Sequence, residues 1–308
     1  MNRDRLLAFA QLLRLPNVFT AFADVTLGAC VAATLLSGTT FAFWLAYVLV
    51  ALASGCLYLA GMVWNDIFDL AEDKKARAFR PLPSGRVAVR TAIVLGVLLF
   101  GAGVALAGLA GTLPQSEWTH EPLAYAVGLV AAVLIYDGGA KRTPFGPVAM
   151  ATCRFLNVLL GLSLIPDAAL DVERRIYLAS VVGLYIVGVT WFARTEETRS
   201  RKRALALAAS VMALSLVVAL LLRAKLGATG TVAFPYLLVG FGFMIGLPVS
   251  RCLSDPSPGK VQATVKRCVL GLVFLDAVLA TMFVGLPGLL LVLLLLPAMW
   301  IGKWVYST

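Results

Sequence analysis

Histidine is almost missing from this chain, with His120 the single example in 308 residues. Imidazole is the usual transition-metal ligand and the usual base near neutral pH, so a metal centre or catalytic base of that kind has almost nothing to draw on. Cysteine does not replace it. Cys30, Cys56, Cys153, Cys252 and Cys268 show no C-x-x-C spacing and mostly lie in apolar runs, which argues against a zinc site and a disulfide framework and leaves them as small packing residues. Charge is scarce, at 14% of residues, and acids are scarcer still, 16 against 26 Lys and Arg. No low-complexity tract or flexible linker divides the chain, which favours one domain over residues 1–308.

Apolar residues fill the space, with 60% of the chain hydrophobic and a mean hydropathy of +0.91. Such values belong to polytopic membrane proteins and not to a pair of soluble domains. A crossing needs about 20 residues, and runs near that length occur at 17–37, 41–64, 91–113, 121–136, 146–165, 176–193, 203–222, 231–249, 264–284 and 287–306. The expectation is an all-α membrane helix bundle of nine or ten transmembrane helices, since Pro287-Gly288 either separates two spans or breaks one. Residues 1–16 carry Arg3, Arg5 and Arg14 among Leu and Phe at helical intervals, with no small-residue cleavage site after them, and are expected to form an interfacial helix.

Basic residues fall on alternate loops. With a cytoplasmic N-terminus, loops around 65–90, 138–145, 194–203 and 251–267 share one side and hold nearly all Lys and Arg, whereas the opposite loops hold Arg174, Arg175, Arg223 and Lys225. The positive-inside rule then orients the chain and accounts for the net charge of +10 without a nucleic-acid partner. The expected place is a bacterial inner membrane. Trp44, Trp64, Trp118, Trp300 and Trp304 fall near predicted helix ends and read as an interfacial belt.

The densest charge is Asn65-Asp66-Ile67-Phe68-Asp69-Leu70-Ala71-Glu72-Asp73, followed by Lys74, Lys75, Arg77 and Arg80-Pro81-Leu82-Pro83-Ser84-Gly85-Arg86. On a helix Asp66, Asp69 and Asp73 fall within roughly 60° of arc. Like charges that close resist ionising together unless a cation sits among them. Oxygen-only ligands suggest Mg²⁺, which is commonly held by one or two carboxylates and completes its shell with water and substrate phosphate. A lone Asp at a helix end is usually a solvated cap; three on one arc before a rigid basic turn are not explained that way.

This run resembles the first aspartate motif, N-D-x-x-D-x-x-x-D, of the UbiA superfamily of membrane prenyltransferases, and Arg80 to Arg86 resembles that family's basic loop. The resemblance implies a bundle in which Mg²⁺ and basic residues hold a prenyl diphosphate whose chain lies in a lipid-facing cavity. Asp66, Asp69 and Asp73 would be the catalytic and metal-binding acids, with Asn65, Lys74, Arg80 and Arg86 on the diphosphate. Tyr136-Asp137-Gly138-Gly139-Ala140-Lys141-Arg142 is similar to the matching family loop and would add Lys141 and Arg142. Asp137-Gly138 also resembles the D-G-x-x-A-R start of CDP-alcohol phosphotransferases, but Ala140 is one place early and the remaining aspartates are missing, which excludes that family.

After the sixth apolar run the chain departs from the superfamily pattern. A second aspartate motif is expected there, and only Glu196 and Glu197 follow Arg194. Adjacent helical residues diverge by about 100°, so one Glu coordinating metal and Arg194 pairing with phosphate is the favoured arrangement. Polar residues within apolar runs, Asn17, Asp24, Tyr136, Arg154, Asn157 and Asp276, are expected to face a cavity or each other. For Arg154 a salt bridge to Asp24 or Asp276 and a substrate contact stand equal. Cys153-Arg154-Phe155-Leu156-Asn157, the A-R-T-E-E stretch and Val261 to Lys266 resemble the EboC-like branch of the superfamily. The function these residues imply is Mg²⁺-dependent transfer of a prenyl group from a prenyl diphosphate to an unidentified acceptor in the lipid bilayer. A catalytically degenerate isoprenoid-lipid-binding protein and a transporter using Asp24, Arg154 and Asp276 are the alternatives.

Overall fold

The computed structural model describes residues 3–36, 38–113, 119–194, 201–226 and 231–306. Among them there is no strand. In chain order the helices are α1 (Arg3–Leu12), α2 (Val18–Leu35), α3 (Phe41–Phe68), α4 (Leu70–Ala76), α5 (Val89–Ala110), α6 (Glu121–Gly138), α7 (Gly146–Leu162), α8 (Val172–Ala193), α9 (Lys202–Leu226), α10 (Phe234–Ser254), α11 (Pro258–Val284) and α12 (Leu295–Tyr306). Nine helices among the described residues are long and apolar enough to cross a membrane, and α7 is a shorter apolar one. All ten apolar runs therefore become separate helical stretches. The last two part where Gly285 takes a left-handed φ of 70°, a conformation open to glycine at little cost, before a tight helical stretch, Leu286–Leu294, leads into α12.

Local chemistry sets the helix starts. Thr40 Oγ1 accepts from the Phe43 amide at 3.2 Å and Asp171 Oδ1 from the Arg174 amide at 2.9 Å, satisfying donors a helix N-terminus leaves open. Proline stands in the first turn of α6, α7, α10 and α11, where a missing N–H costs nothing. The basic stretch 251–267, expected as a loop, is mostly helix: only Asp255 to Ser257 separate α10 from α11. Polar residues beyond the apolar run keep helical geometry because Pro258 starts α11 six residues before its apolar core.

The helices differ in burial. In α11 67% of the apolar window is buried, against 28% in α5 and α10. Helices α2, α3, α6, α7, α8 and α11 pack in succession around a central space, with α5, α9, α10 and α12 outside. α2 and α7 close one end by backbone contact, since a Cβ on Gly161 would stand 2.7 Å from Val25 Cα and one on Gly28 would collide with Gly161 itself. At that end Arg175, 1% exposed, pairs with Glu121 at 2.7 Å and Asp167 at 2.8 Å and donates to the carbonyls of Leu170 and Ile165.

At the other end α1 does more than lie at an interface. Ala8 and Leu12 are fully buried in a cluster with Val63, Leu82, Val87 and Ala92. Gln11 Nε2 donates to the Val305 carbonyl at 3.1 Å, so α1 and α12 meet over the bundle. Trp64 departs from the expected belt: it is stacked on Phe100 at 6.4 Å and seated against Gly96, because α3 and α5 cross closely there. Trp118 lies outside the described residues.

Candidate active site

Between the six inner helices lies a cavity of about 490 Å³. Its mouth is charged and its interior mostly apolar. Arg14, Asn65, Asp69, Arg77, Arg80, Asp137 and Lys141 line the mouth, while Leu57, Leu129, Val133, Ile186, Val269 and Leu272 line the deeper walls.

The acidic motif is bent. α3 ends at Phe68, Asp69 sits at the junction with φ −90° and ψ 1°, and α4 begins at Leu70. Amide bonds from Asp69 to the Asn65 carbonyl at 3.0 Å and from Asp73 to the Asp69 carbonyl at 2.8 Å carry the turn across. The three acids consequently go to different places. Asp66 Oδ1 takes Arg14 at 3.0 Å and Arg80 at 3.7 Å. Asp69 Oδ1 takes Lys141 at 2.7 Å and Arg142 at 3.0 Å. Asp73 is 0% exposed, with Oδ1 on Arg77 at 3.3 Å and Oδ2 on Arg80 at 2.7 Å.

Asp73 thus stands behind the cavity wall with both oxygens occupied, which is not the place that its spacing implies. Of the three, Asp69 alone is on the wall. Arg80 reaches the mouth as expected, but Arg86 is turned into its own loop, donating to Ser84 Oγ, Gln11 Oε1 and the Phe79 carbonyl. Lys74 is exposed and, like Arg86, does not line the cavity. Arg194 caps α8 in an exposed position one residue beyond the lining Ala193. Glu196 and Glu197 lie outside the described residues.

Below the mouth, Asn17, Tyr136, Arg154 and Asn157 line the cavity as expected, joined by Ser54 and Tyr58. Tyr58 is seven residues along α3 from Asn65, about 10 Å deeper at 1.5 Å per residue. Arg154 forms the expected salt bridge and also lines the cavity. It pairs with Asp24 Oδ2 at 3.1 Å, donates to Thr20 Oγ1 at 2.7 Å and lies over the Tyr58 ring at 5.4 Å, yet still faces the cavity. Asn157 donates to Asp24 at 2.8 Å and accepts from Ser54 at 2.6 Å. Asp24 and Asp276 are both 0% exposed and stand behind this wall. Asp276 faces Asp24 and receives no hydrogen bond from a donor among the described residues.

Four residues carry more of this geometry than the sequence suggested. Arg14, grouped with the interfacial basic residues, reaches Asn65 and Asp66 from a backbone at φ 45°, a conformation costing about 1–3 kcal/mol away from glycine. Arg77 and Tyr58 enter through the cavity wall. Asp137 is 2% exposed, accepts from Asn65 Nδ2 at 2.7 Å and contacts Lys141 at 3.4 Å. Its position four residues before Lys141 at the end of α6 was the available signal.

Magnesium fits the donors at the mouth, which are carboxylate and amide oxygens. Among the described residues no three His, Cys, Asp or Glu side chains form a ready ligand cluster, but this ion needs one or two protein carboxylates when phosphate and water complete its shell. On Asp66 and Asp69 every ion pair goes to Oδ1, which leaves Oδ2 for another cation.

Known proteins resemble this chain in sequence and in fold. Digeranylgeranylglyceryl phosphate synthase of Saccharolobus solfataricus is 31% identical over half of this chain and half of its own length, and that of Sulfolobus acidocaldarius 29% over 46% of each. The chain thus spans about half the length of the curated relatives it matches. A solved structure reported for digeranylgeranylglyceryl phosphate synthase in membranes superposes with a TM-score of 0.64 at 18% identity, covering 91% of this chain and 99% of the other. A UbiA homolog from Archaeoglobus fulgidus bound to GPP and Mg²⁺ gives a TM-score of 0.54 at 14% identity, covering 88% and 99%. These two share the fold. A model of the UbiA prenyltransferase family matches residues 26–253, well over half of the sequence and including all of α3 to α9, and the chain belongs to that family.

Proposed function

We propose that this chain transfers a prenyl group from a prenyl diphosphate to an acceptor within the membrane, with Mg²⁺ as cofactor, and that residues 1–308 act as one unit. The observation that carries this reading is the polarity of the cavity: a charged mouth leads into a mostly apolar interior, which fits an amphiphile with an anionic head. Structures of relatives with GPP and Mg²⁺ or DMAPP and Mg²⁺ support it.

Among the described residues, the ion pairs at and just behind the mouth join Arg14, Arg77, Arg80, Lys141 and Arg142 to Asp66, Asp69, Asp73, Asp137 and Glu72. Their formal charges cancel. A diphosphate of about three negative charges would therefore enter an electrically neutral frame, and a divalent cation offsets what the frame does not. Magnesium, when bound, neutralises the departing diphosphate. Asp69 would offer it an oxygen ligand from the cavity wall, Asp66 holds Arg14 and Arg80 in place behind it, and Arg14, Arg80 and Lys141 hold phosphate oxygens, the arginines in bidentate fashion. The bond between prenyl C1 and the diphosphate oxygen breaks with its electron pair leaving on the diphosphate. The acceptor nucleophile then bonds to the allylic C1 and releases its proton. The apolar wall excludes water from the cation. Arg154, about two turns below the mouth, gives the acceptor a polar contact.

Purified protein with radiolabelled prenyl diphosphates and a membrane extract tests this. Labelled product is expected only with Mg²⁺, and Asp69→Ala is expected to abolish it while the protein stays folded in detergent. Wild-type turnover in Asp69→Ala would overturn the reading, and binding without any product would favour the lipid-binding alternative.

A further inference from the structure

Two carboxylates from different helices face each other across one ammonium group. Asp69 at the α3–α4 junction and Asp137 at the end of α6 both line the cavity mouth. Lys141 Nζ stands 2.7 Å from Asp69 Oδ1 and 3.4 Å from Asp137 Oδ1, so these oxygens lie within about 6 Å of each other and a cation already occupies the space between them. Asp137 is 2% exposed, and its contacts with Asn65 and Lys141 both go to Oδ1. Its Oδ2 has no partner among the described residues and belongs to a side chain on the cavity wall. A carboxylate this buried is not a solvated cap. Its neighbour Asn65 is fixed by it, the amide donating to Asp137 and the carbonyl oxygen accepting from Arg14 at 3.3 Å.

We infer that Asp137 is a magnesium ligand, completing with Asp69 a two-carboxylate site that Lys141 occupies when the metal is away. The inference rests on the magnesium-dependent reading above and names a residue outside the aspartate motif. Two carboxylates with substrate oxygens and water match what Mg²⁺ commonly takes from a protein. Arrival of the metal would release Lys141 from both acids, and its freed ammonium would meet the diphosphate that accompanies the metal. One lysine would then serve as counter-ion in one state and as phosphate contact in the other.

The experiment is Mn²⁺ binding to the purified full chain in detergent, read by electron paramagnetic resonance, alone and with geranyl S-thiolodiphosphate, which needs no turnover. Asp137→Asn can still accept from Asn65 but loses its charge. It and Asp137→Ser are expected to weaken Mn²⁺ binding at least about 10-fold, the scale of disrupting a metal site's supporting shell or more. Lys141→Met removes the competing ammonium and is expected to tighten Mn²⁺ binding in the absence of diphosphate. Wild-type affinity in Asp137→Asn overturns the inference. Should the Asp137 variants fail to fold, Lys141→Met decides, and no gain in affinity overturns it. Loss of Mn²⁺ in Asp69→Asn but not in Asp137→Asn removes Asp137 alone, whereas a wild type that binds no Mn²⁺ in either condition removes the magnesium reading as well.

Discussion

Replacing Asp73 with alanine separates a structural acid from a metal-binding one inside a single motif. Asp73 is fully buried and ties two arginines of the following turn, at 3.3 Å and 2.7 Å, to the start of α4. That turn is otherwise held by backbone bonds from Arg80 to Arg77, Ser84 to Arg80 and Val87 to Pro81, at 3.0 to 3.1 Å. Truncation removes two charge-assisted hydrogen bonds, each contributing about 1.5–3 kcal/mol. The arginine side chains are 31% and 22% exposed, so water recovers part of that loss, and roughly 2–4 kcal/mol is the expected net destabilisation. At about 2 °C per kcal/mol for a chain of this size, the melting temperature in detergent should fall by about 4–8 °C. Diphosphate binding should weaken with it, because Arg80 loses its anchor, while Mn²⁺ affinity without diphosphate should stay within about twofold. Asp69→Ala should show the reverse emphasis, lost metal binding with a smaller fall in melting temperature, because Lys141 keeps Asp137 and Arg142 is half exposed to water. An Asp73→Ala protein that melts like wild type but no longer binds Mn²⁺ would refute the assignment and return Asp73 to the ligand set.

The buried pair predicts a pattern of its own: Arg154→Met should destabilise the fold by about 3–5 kcal/mol by leaving Asp24 without its cation, whereas Asp24→Asn with Arg154→Met should regain most of that stability. Thermal unfolding of the wild type and the two variants checks it, and equal melting of the single and double variants would contradict it. For orientation, an impermeant thiol reagent added to intact cells should label a cysteine placed at exposed Ala168 and not one placed at exposed Ser84. Equal labelling would reverse or void the proposed sidedness.

The fold was legible because lipid allows so few solutions. A backbone crossing hydrocarbon must satisfy itself internally, so ten apolar runs without barrel-like alternation could only be helices. Their ends were less legible. α11 begins at Pro258 although its apolar run begins at residue 264, since hydropathy reports where a helix leaves lipid and not where its hydrogen bonds start. At Pro287 the sequence left open a break or a separation, and Gly285 with its positive φ decides for separation. Trp64 looked like an interfacial anchor because a tryptophan near a helix end usually is. Its partner Phe100 lies on another helix, and no one-dimensional pattern pairs them.

The site was half legible for a related reason. Helical period places side chains on an arc but is silent about what faces that arc. Asp66, Asp69 and Asp73 keep nearly the expected turn, yet a bend at Asp69 and the return of the basic loop give each acid a different cation. Arg14 reaches Asp66 across 52 residues of chain, and only the left-handed turn that ends α1 aims it there. Lys141 and Arg154 were found because a cation in a short loop or an apolar run has few reasons to be present. Asp137 adjoins Tyr136 and lies four residues before Lys141, but its nearness to Asp69 depends on how α6 packs against α3, which no spacing within one helix reports. Two acids that converge from separate helices can share one ion without sharing a motif, and here Lys141, four residues from one of them and 2.7 Å from the other, is the residue that reveals it.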